Sequence, residues 1–360
     1  MPDPTPTPLP TPSPAATPSP AGSADHPVAV RVPKALRLAA AARLVGGSGP
    51  SQARAAKNLI DAAPRHGIDL NLFFACRVGE TLGPVCLAVP GSGKTAVLFM
   101  SSPVLEPEPE IEGARRGAAV LAATEHLEAA GLGIRLIQAL PSPGEIWAVE
   151  ALEAGGLTEI ATLTYLRRAF VPGDKKREPV VWPEGITVGP VGPLSGSGDS
   201  DPAGLIELVR TLDATYEQTL DCPELCGLRE TADVVQSHKA SGQFDAALWR
   251  LVRKDGEPVG CCLLNRNPDL GSVELVYVGL APSVRGLGLG RLLLEDGIAR
   301  AARLSPEAEM TCAVDARNTP AVRMYERAGF ESFATKLAYL RGLGGAGEPE
   351  RGIDPTARKV

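Results

Sequence analysis

Long apolar runs are missing from this chain. No stretch approaches the roughly 20 residues that a membrane-spanning helix needs, so no membrane partner is expected. Basic residues are not in excess: 36 Lys and Arg stand against 42 Asp and Glu, a formal net charge of -6, which argues against general nucleic-acid binding. Histidines number only four and are scattered, and none of the seven cysteines forms a C-x-x-C pair. Cys222 and Cys226 stand four apart with Pro223 between them. This pattern argues against a zinc framework and for reduced, mostly buried thiols in a cytoplasmic protein without a metal.

Two phosphate signatures are incomplete. The dinucleotide fingerprint needs a third Gly three residues after the second. Counted from Gly286 and Gly288 that position is Arg291, and counted from Gly288 and Gly290 it is Leu293. Ala88-Val89-Pro90-Gly91-Ser92-Gly93-Lys94-Thr95 passes a relaxed P-loop pattern, with Ala in place of the first Gly. A P-loop must open a helix, whereas Lys94 leads into Ala96-Val97-Leu98-Phe99-Met100, a short buried strand. The preceding run Val85 to Val89 is also strand-like, so the segment reads as a hairpin.

What is present is a globular composition, 44% hydrophobic over 360 residues, long enough for two domains. Residues 1 to 27 are nearly all Pro, Thr, Ser and Ala. They lack the basic start and apolar centre of a signal peptide and are expected to form a disordered tail. Residues 343 to 360, Gly-rich and then charged, are expected to be a second loose end.

The most informative stretch is Val273-Glu274-Leu275-Val276-Tyr277-Val278-Gly279-Leu280, an apolar strand ended by Pro282. Arg285-Gly286-Leu287-Gly288-Leu289-Gly290 follows, and then a helix starting Arg291-Leu292-Leu293-Leu294. A glycine-rich loop at a helix N-terminus presents free backbone N–H groups, and the helix dipole favours negative charge there. Glycines let that backbone approach a diphosphate closely. This loop resembles the acetyl-coenzyme A signature of the GNAT acetyltransferase superfamily, Gln or Arg, x, x, Gly, x, Gly or Ala, with Arg285, Gly288 and Gly290 in the matching places. A second match stands downstream: Asn318, Ala321, Tyr325 and Gly329-Phe330 resemble the family's Asn…Ala…Tyr…Gly-Phe element. The resemblance covers roughly residues 184 to 342.

The second half reads in the family's order. A helix over Asp201 to Thr219 has Leu205, Leu208 and Leu212 on one face, and a short helix runs from Thr231 to Ala240. Strands follow over Ala246 to Arg253, Val259 to Leu264 and 273 to 280. The helix after the loop faces the sheet with Leu294, Gly297, Ile298 and Ala301. Strand 309 to 314, the Asn318 helix and a closing strand from Phe330 to Leu340 complete it. The first half repeats this order more faintly: a helix over Ser51 to Ala63, strands Leu70 to Val78, Val85 to Val89 and Ala96 to Met100, and a helix Ala114 to Ala130. Strand Ile134 to Ala139, helix Gly144 to Ala154 and strand Leu157 to Arg168 follow. The matching order suggests a duplication. The expected fold is α/β (α+β): two GNAT-like domains, 28–172 and 184–342, joined by a linker over 173–183. Each would be a mixed, mostly antiparallel sheet flanked by helices. Where the coenzyme loop should stand in the first half, Glu106 to Glu112 is rich in Glu and Pro. Acidic groups there repel phosphate, so the first copy reads as degenerate.

The resemblance implies an acetyl-CoA-dependent N-acetyltransferase acting on an amine of a small molecule or a protein. It implies that the backbone of Gly286, Leu287, Gly288, Leu289, Gly290 and Arg291 holds the pyrophosphate. It implies too that Val278 and Leu280 offer backbone groups to the pantetheine arm, with Asn318 and Ala321 beside the coenzyme. Tyr325 becomes the general acid for the departing thiolate; the alternative is a packed aromatic. Asn318 also suits a helix cap. Glu274, eleven residues before Arg285, suits either a general base or a strand-end ion pair. Strand alternation places Glu274, Val276 and Val278 on one face. The loop Leu220 to Arg229 is the expected acceptor cover, its acids attracting a cationic amine. No Cys or Ser stands in either motif as a nucleophile, which favours direct attack in a ternary complex. A non-enzymatic acyl-CoA sensor and an interaction scaffold using the Pro-rich tail are the other readings.

Overall fold

The computed structural model describes residues 27–78, 81–104, 109–194, 202–306 and 308–343. Most of the Pro-rich tail, part of the acidic segment (105–108) and the C-terminal residues 344–360 lie outside the described residues. The first half comprises β1 (Ala29–Arg31), α1 (Arg37–Val45), α2 (Gly49–Ala62), β2 (Phe73–Val78), β3 (Thr81–Gly91), β4 (Thr95–Met100), α3 (Pro109–Ala129), β5 (Leu136–Ala139), α4 (Ile146–Ala154), β6 (Thr158–Ala169) and the single turn α5 (Pro172–Lys175). The second comprises β7 (Ile186–Pro190), α6 (Ala203–Tyr216), α7 (Thr231–Ala240), β8 (Arg250–Lys254), β9 (Glu257–Asn267), β10 (Ser272–Leu280), α8 (Leu289–Leu304), β11 (Glu309–Asp315), α9 (Thr319–Arg327) and β12 (Glu331–Gly342).

Apolar residues on both faces mark strands covered on both sides. Phe73 and Ala75 of β2 pack with Ala40 and Ala56 of α1 and α2, while Phe74 packs with Ala119 and Ala123 of α3. In the second half, Leu294, Gly297, Ile298 and Ala301 of α8 are buried as their spacing predicts. Two segments read as strand starts are 3-10 turns instead. Asp69 accepts from the Asn71 N–H before β2, and Asp245 accepts from the Ala247 N–H before β8. Such local side-chain bonds compete with the ladder. The hairpin reading of 88–95 matches β3 and β4, paired antiparallel from Cys86↔Met100 to Gly91↔Thr95. Helix α1 and strand β7 stand where no element was expected.

Among the described residues the strands form one sheet in the order β1-β2-β3-β4-β5-β12-β6-β11-β10-β9-β8-β7. The sheet does not break between the halves. Each half sends its last strand into the other: β6 pairs with β11, and β12 pairs with β5. The two exchanged strands pair antiparallel with each other along most of their length. The closing strand expected to finish the second half's own sheet therefore finishes the first half's. This covers two edges, β5 and β11, that would otherwise present unpaired N–H and C=O groups. The residues read as a linker begin with α5, where Asp174 accepts from the Val171 N–H and both outer nitrogens of Arg168, pinning the turn to β6.

Candidate active site

Strand β10 pairs with β11 in parallel only through Ser272↔Glu309, Val273↔Met310 and Glu274↔Thr311. Beyond Glu274 the two strands diverge. The opening holds a cavity of about 690 Å³ lined by β10, the glycine loop, α9 and the loop after α6. The Ala281 N–H donates to Val259 O at 2.8 Å, on the β9 side. Alternation along an antiparallel pair then turns the N–H and C=O of Val278, and the N–H of Leu280, toward the opening.

The glycine loop is built by left-handed backbone. Gly286 and Gly288 have φ of +77° and +76°, and Gly288 caps α8. Side chains with a Cβ are strained there. The first-turn N–H groups, through Arg291, have no intrahelical acceptors and face the cavity with Gly286, Gly288 and Gly290. A Cβ on Gly290 would sit 3.4 Å from Met324 Sδ of α9, an ordinary packing distance. The Leu289 side chain is buried and that of Leu287 is exposed; both residues stand in the loop through their backbone.

Arg285 behaves differently from a phosphate ligand. Its Nε donates to Leu280 O at 2.9 Å, and its outer nitrogens donate to Thr215 O at 2.9 Å, Glu217 O at 2.8 Å and Gln218 O at 3.0 Å. The guanidinium thus ties the loop to the carbonyl end of α6, where a cation is favoured.

Tyr325 lines the cavity and is 4% exposed, its ring edge-on to Phe330 at 5.4 Å. Burial, with nearby Cys312 and Asp221, raises its hydroxyl well above the usual tyrosine range, so the proton is held firmly. Asn318 caps α9, its Oδ1 accepting from the Ala321 N–H at 3.3 Å. Both line the cavity. From the loop after α6, Asp221 reaches the same cavity and accepts from the Asp315 N–H at 2.9 Å. Burial raises its carboxyl pKa. Cys222 is buried and Cys226 exposed.

The expected face-sharing of Glu274 with Val278 fails. A bulge at Val276 shifts the register with β9: Glu274 pairs with Asn265, but Val278 pairs with Cys262. Paired residues share a face, so the extra residue puts the two on opposite faces. Glu274 lies instead on the side of Tyr277 and takes a 2.7 Å hydrogen bond from Ser241 Oγ. Tyr277, which the motifs did not single out, shares a 2.8 Å hydrogen bond with Thr215 Oγ1 and stacks on the His238 ring at 5.7 Å. Its aromatic place in the motif strand was the only signal available.

The first half repeats the splay without the loop. β4 and β5 pair in parallel over Thr95↔Leu136, Ala96↔Ile137 and Val97↔Gln138 and then part. At the start of α3, buried Glu112 accepts from Arg43 at 2.6 Å and Arg116 at 2.9 Å. Arg116 in turn lies 5.1 Å from the Trp147 ring centre. A buried carboxylate, paired with arginine, thus stands in the first turn of α3, the helix that follows the splayed strand in this half.

The sequence of residues 212–330 matches the profile of the acetyltransferase (GNAT) family. A mycothiol acetyltransferase of Streptomyces avermitilis is 30% identical over 309 residues, covering 81% of this chain and 92% of that protein. The chain belongs to the GNAT acetyltransferase family. A second mycothiol acetyltransferase, of Streptomyces griseus, is 32% identical over 222 residues, covering 59% of this chain and 67% of the relative. A GCN5-related N-acetyltransferase of Sphaerobacter thermophilus shares the fold, with a TM-score of 0.53 and 18% identity across 89% of this chain and 97% of that one. This GNAT protein is an acetyl-CoA-dependent N-acetyltransferase, and acetyl-CoA is its co-substrate. Among the described residues no group of three or more His, Cys, Asp or Glu is placed to hold a metal. None of their helices is long and apolar enough to cross a membrane.

Proposed function

We propose that the second-half cleft transfers acetyl from acetyl-CoA to a primary amine by direct attack in a ternary complex, and that the amine belongs to a mycothiol-type small molecule. The observation that carries the reading is the splay of β10 from β11 beside the free N–H groups of the Gly286–Arg291 turn. The cradle suits a diphosphate, and the open edge of Val278 and Leu280 suits an amide-bearing arm. The acceptor follows the shared name of the Streptomyces relatives.

In this reading the backbone of Gly286 to Arg291 orients the coenzyme, while Asn318 and Ala321 shape the wall beside it. Val278 N–H holds the reacting carbonyl in a fixed place, where a preorganised donor stabilises developing negative charge. Tyr325 gives its proton to the leaving sulfur. Glu274, held by Ser241, takes up the proton that the amine must lose, since a free amine is mostly charged at neutral pH. The first half, with Glu112 in the corresponding helix end, has no catalysis of its own, and the boundaries 28–172, 173–183 and 184–342 describe sequence repeats whose sheets are interwoven.

The test is incubation of the full chain with acetyl-CoA and deacetylated mycothiol. Free coenzyme thiol and N-acetylated product should appear in equal amounts. Tight coenzyme binding with no transfer to this or any amine in a broad set would overturn the reading in favour of an acyl-CoA sensor.

A further inference from the structure

We propose that the Ser92-Gly93-Lys94 turn of the first half is a positioning element for the second half's acceptor side: docked on α7, it sets Ser241 against Glu274 and His238 against Tyr277. This is the glycine-lysine segment whose sequence mimics a P-loop. It rests on the reading of Glu274 as proton acceptor.

The turn is rigid. It closes the β3–β4 hairpin with Gly93 and Lys94 both left-handed, at φ of +72° and +56°. Lys94 O accepts from Arg135 N at 2.8 Å and Leu136 N at 3.2 Å, which braces the turn against the start of β5. Its outer surface meets α7 and the residues before it. Arg229 Nη1 donates to Gly93 O at 2.9 Å and to Ser237 Oγ at 2.7 Å. Ser237 Oγ donates to Ser92 O at 3.0 Å, and Lys94 Nζ lies 2.9 Å from Asp233 Oδ2. The fit is close: a Cβ on Gly93 would stand 2.2 Å from both Asp233 O and Ser237 Oγ.

Helix α7 depends on such outside contacts. It is ten residues long with Val235 as its one buried side chain, and short helices have little stability alone. Just past Ser237, the C-terminal end of α7 meets Tyr277, which lines the cavity, and Glu274, which is not among the lining residues. Asn265 Nδ2 of β9 donates to His238 O at 2.6 Å, the His238 ring stacks on Tyr277, and Ser241 Oγ donates to Glu274. The first half thus holds α7 from Arg229 through Ser237, and the second half uses the residues that follow, His238 and Ser241. A displacement of about 1 Å in a positioning element can cost around a hundredfold in rate.

The test uses the full chain carrying Gly93→Ala, with Lys94→Met and Lys94→Arg as milder partners. Hydrogen exchange of residues 231–241 should rise about tenfold in Gly93→Ala, with exchange of 289–304 unchanged. The KM for deacetylated mycothiol should rise about tenfold or more, with the acetyl-CoA dissociation constant within about twofold of wild type. Lys94→Met should show a smaller rise that Lys94→Arg reverses. Unchanged exchange at 231–241 in Gly93→Ala would overturn the proposal. So would a parallel loss of acetyl-CoA affinity, which would mark general loosening. A wild-type chain inactive on the probe would count against the functional reading alone, because the exchange measurement needs no acceptor.

Discussion

Replacing Arg285 with Met separates two roles for the motif arginine. If the guanidinium gripped phosphate, its loss would weaken coenzyme binding strongly, flatten the salt dependence of that binding and leave the free protein as stable as before. The structure makes it a strut between the coenzyme loop and the end of α6. Of its four hydrogen bonds, those to Leu280 O and Thr215 O are part-buried, while those to Gln218 O and Glu217 O are exposed. Shielded bonds from a charged donor contribute about 1.5–3 kcal/mol each, and water replaces much of the exposed pair. The loss is then about 3–6 kcal/mol, which lowers Tm by about 6–24 °C for a cooperative unit of 150–250 residues. Arg285→Lys keeps the charge but cannot reach four carbonyls and should recover half the loss at most. Thermal unfolding and calorimetric titration with acetyl-CoA at two salt concentrations read both quantities. A melting temperature within about 1 °C of wild type, together with a weaker salt dependence of binding, would refute the strut.

Three further outcomes are expected. Tyr325→Phe keeps the ring against Phe330 and should lower turnover by about ten- to a thousandfold, with little change in coenzyme affinity; wild-type turnover at every pH would give the proton to water instead. Glu112→Ala leaves buried Arg116 without its carboxylate, so denaturant unfolding should show a loss of about 3–5 kcal/mol, while a result within 1 kcal/mol of wild type would contradict the buried network. Burial raises the Asp174 carboxyl pKa, but the hydrogen bonds from Arg168 and the Val171 N–H outweigh it and leave the pKa below the usual value. Its stabilisation is therefore present above about pH 4 and lost as pH falls through the depressed value; parallel stability–pH curves for wild type and Asp174→Asn below pH 4 would contradict this.

Much of the fold was legible because its signals are local. The hairpin at Gly91–Thr95 follows from glycines between two apolar runs, and the buried face of α8 follows from the spacing of Leu294, Gly297, Ile298 and Ala301. The glycine loop needs only a strand before it and a helix after it. The exchange of β6 and β12 left no local trace, because either strand could pair with β5 or β11 by its own alternation, and only the whole sheet decides. The face of Glu274 was misread for a similar reason. One bulged residue, Val276, inverts the alternation, and nothing in Leu275-Val276-Tyr277 announces it. The direction of the Arg285 side chain depends on the end of α6, some seventy residues earlier, which the motif does not contain.

The most direct test of the account is calorimetric titration of the full chain with acetyl-CoA, for wild type and Gly288→Trp. The account predicts one site per chain in wild type and none in Gly288→Trp, since a bulky side chain at this left-handed position blocks the cradle between α8 and the opening of β10. Two equal sites, or unchanged binding in the variant, would contradict a single coenzyme site in the second half.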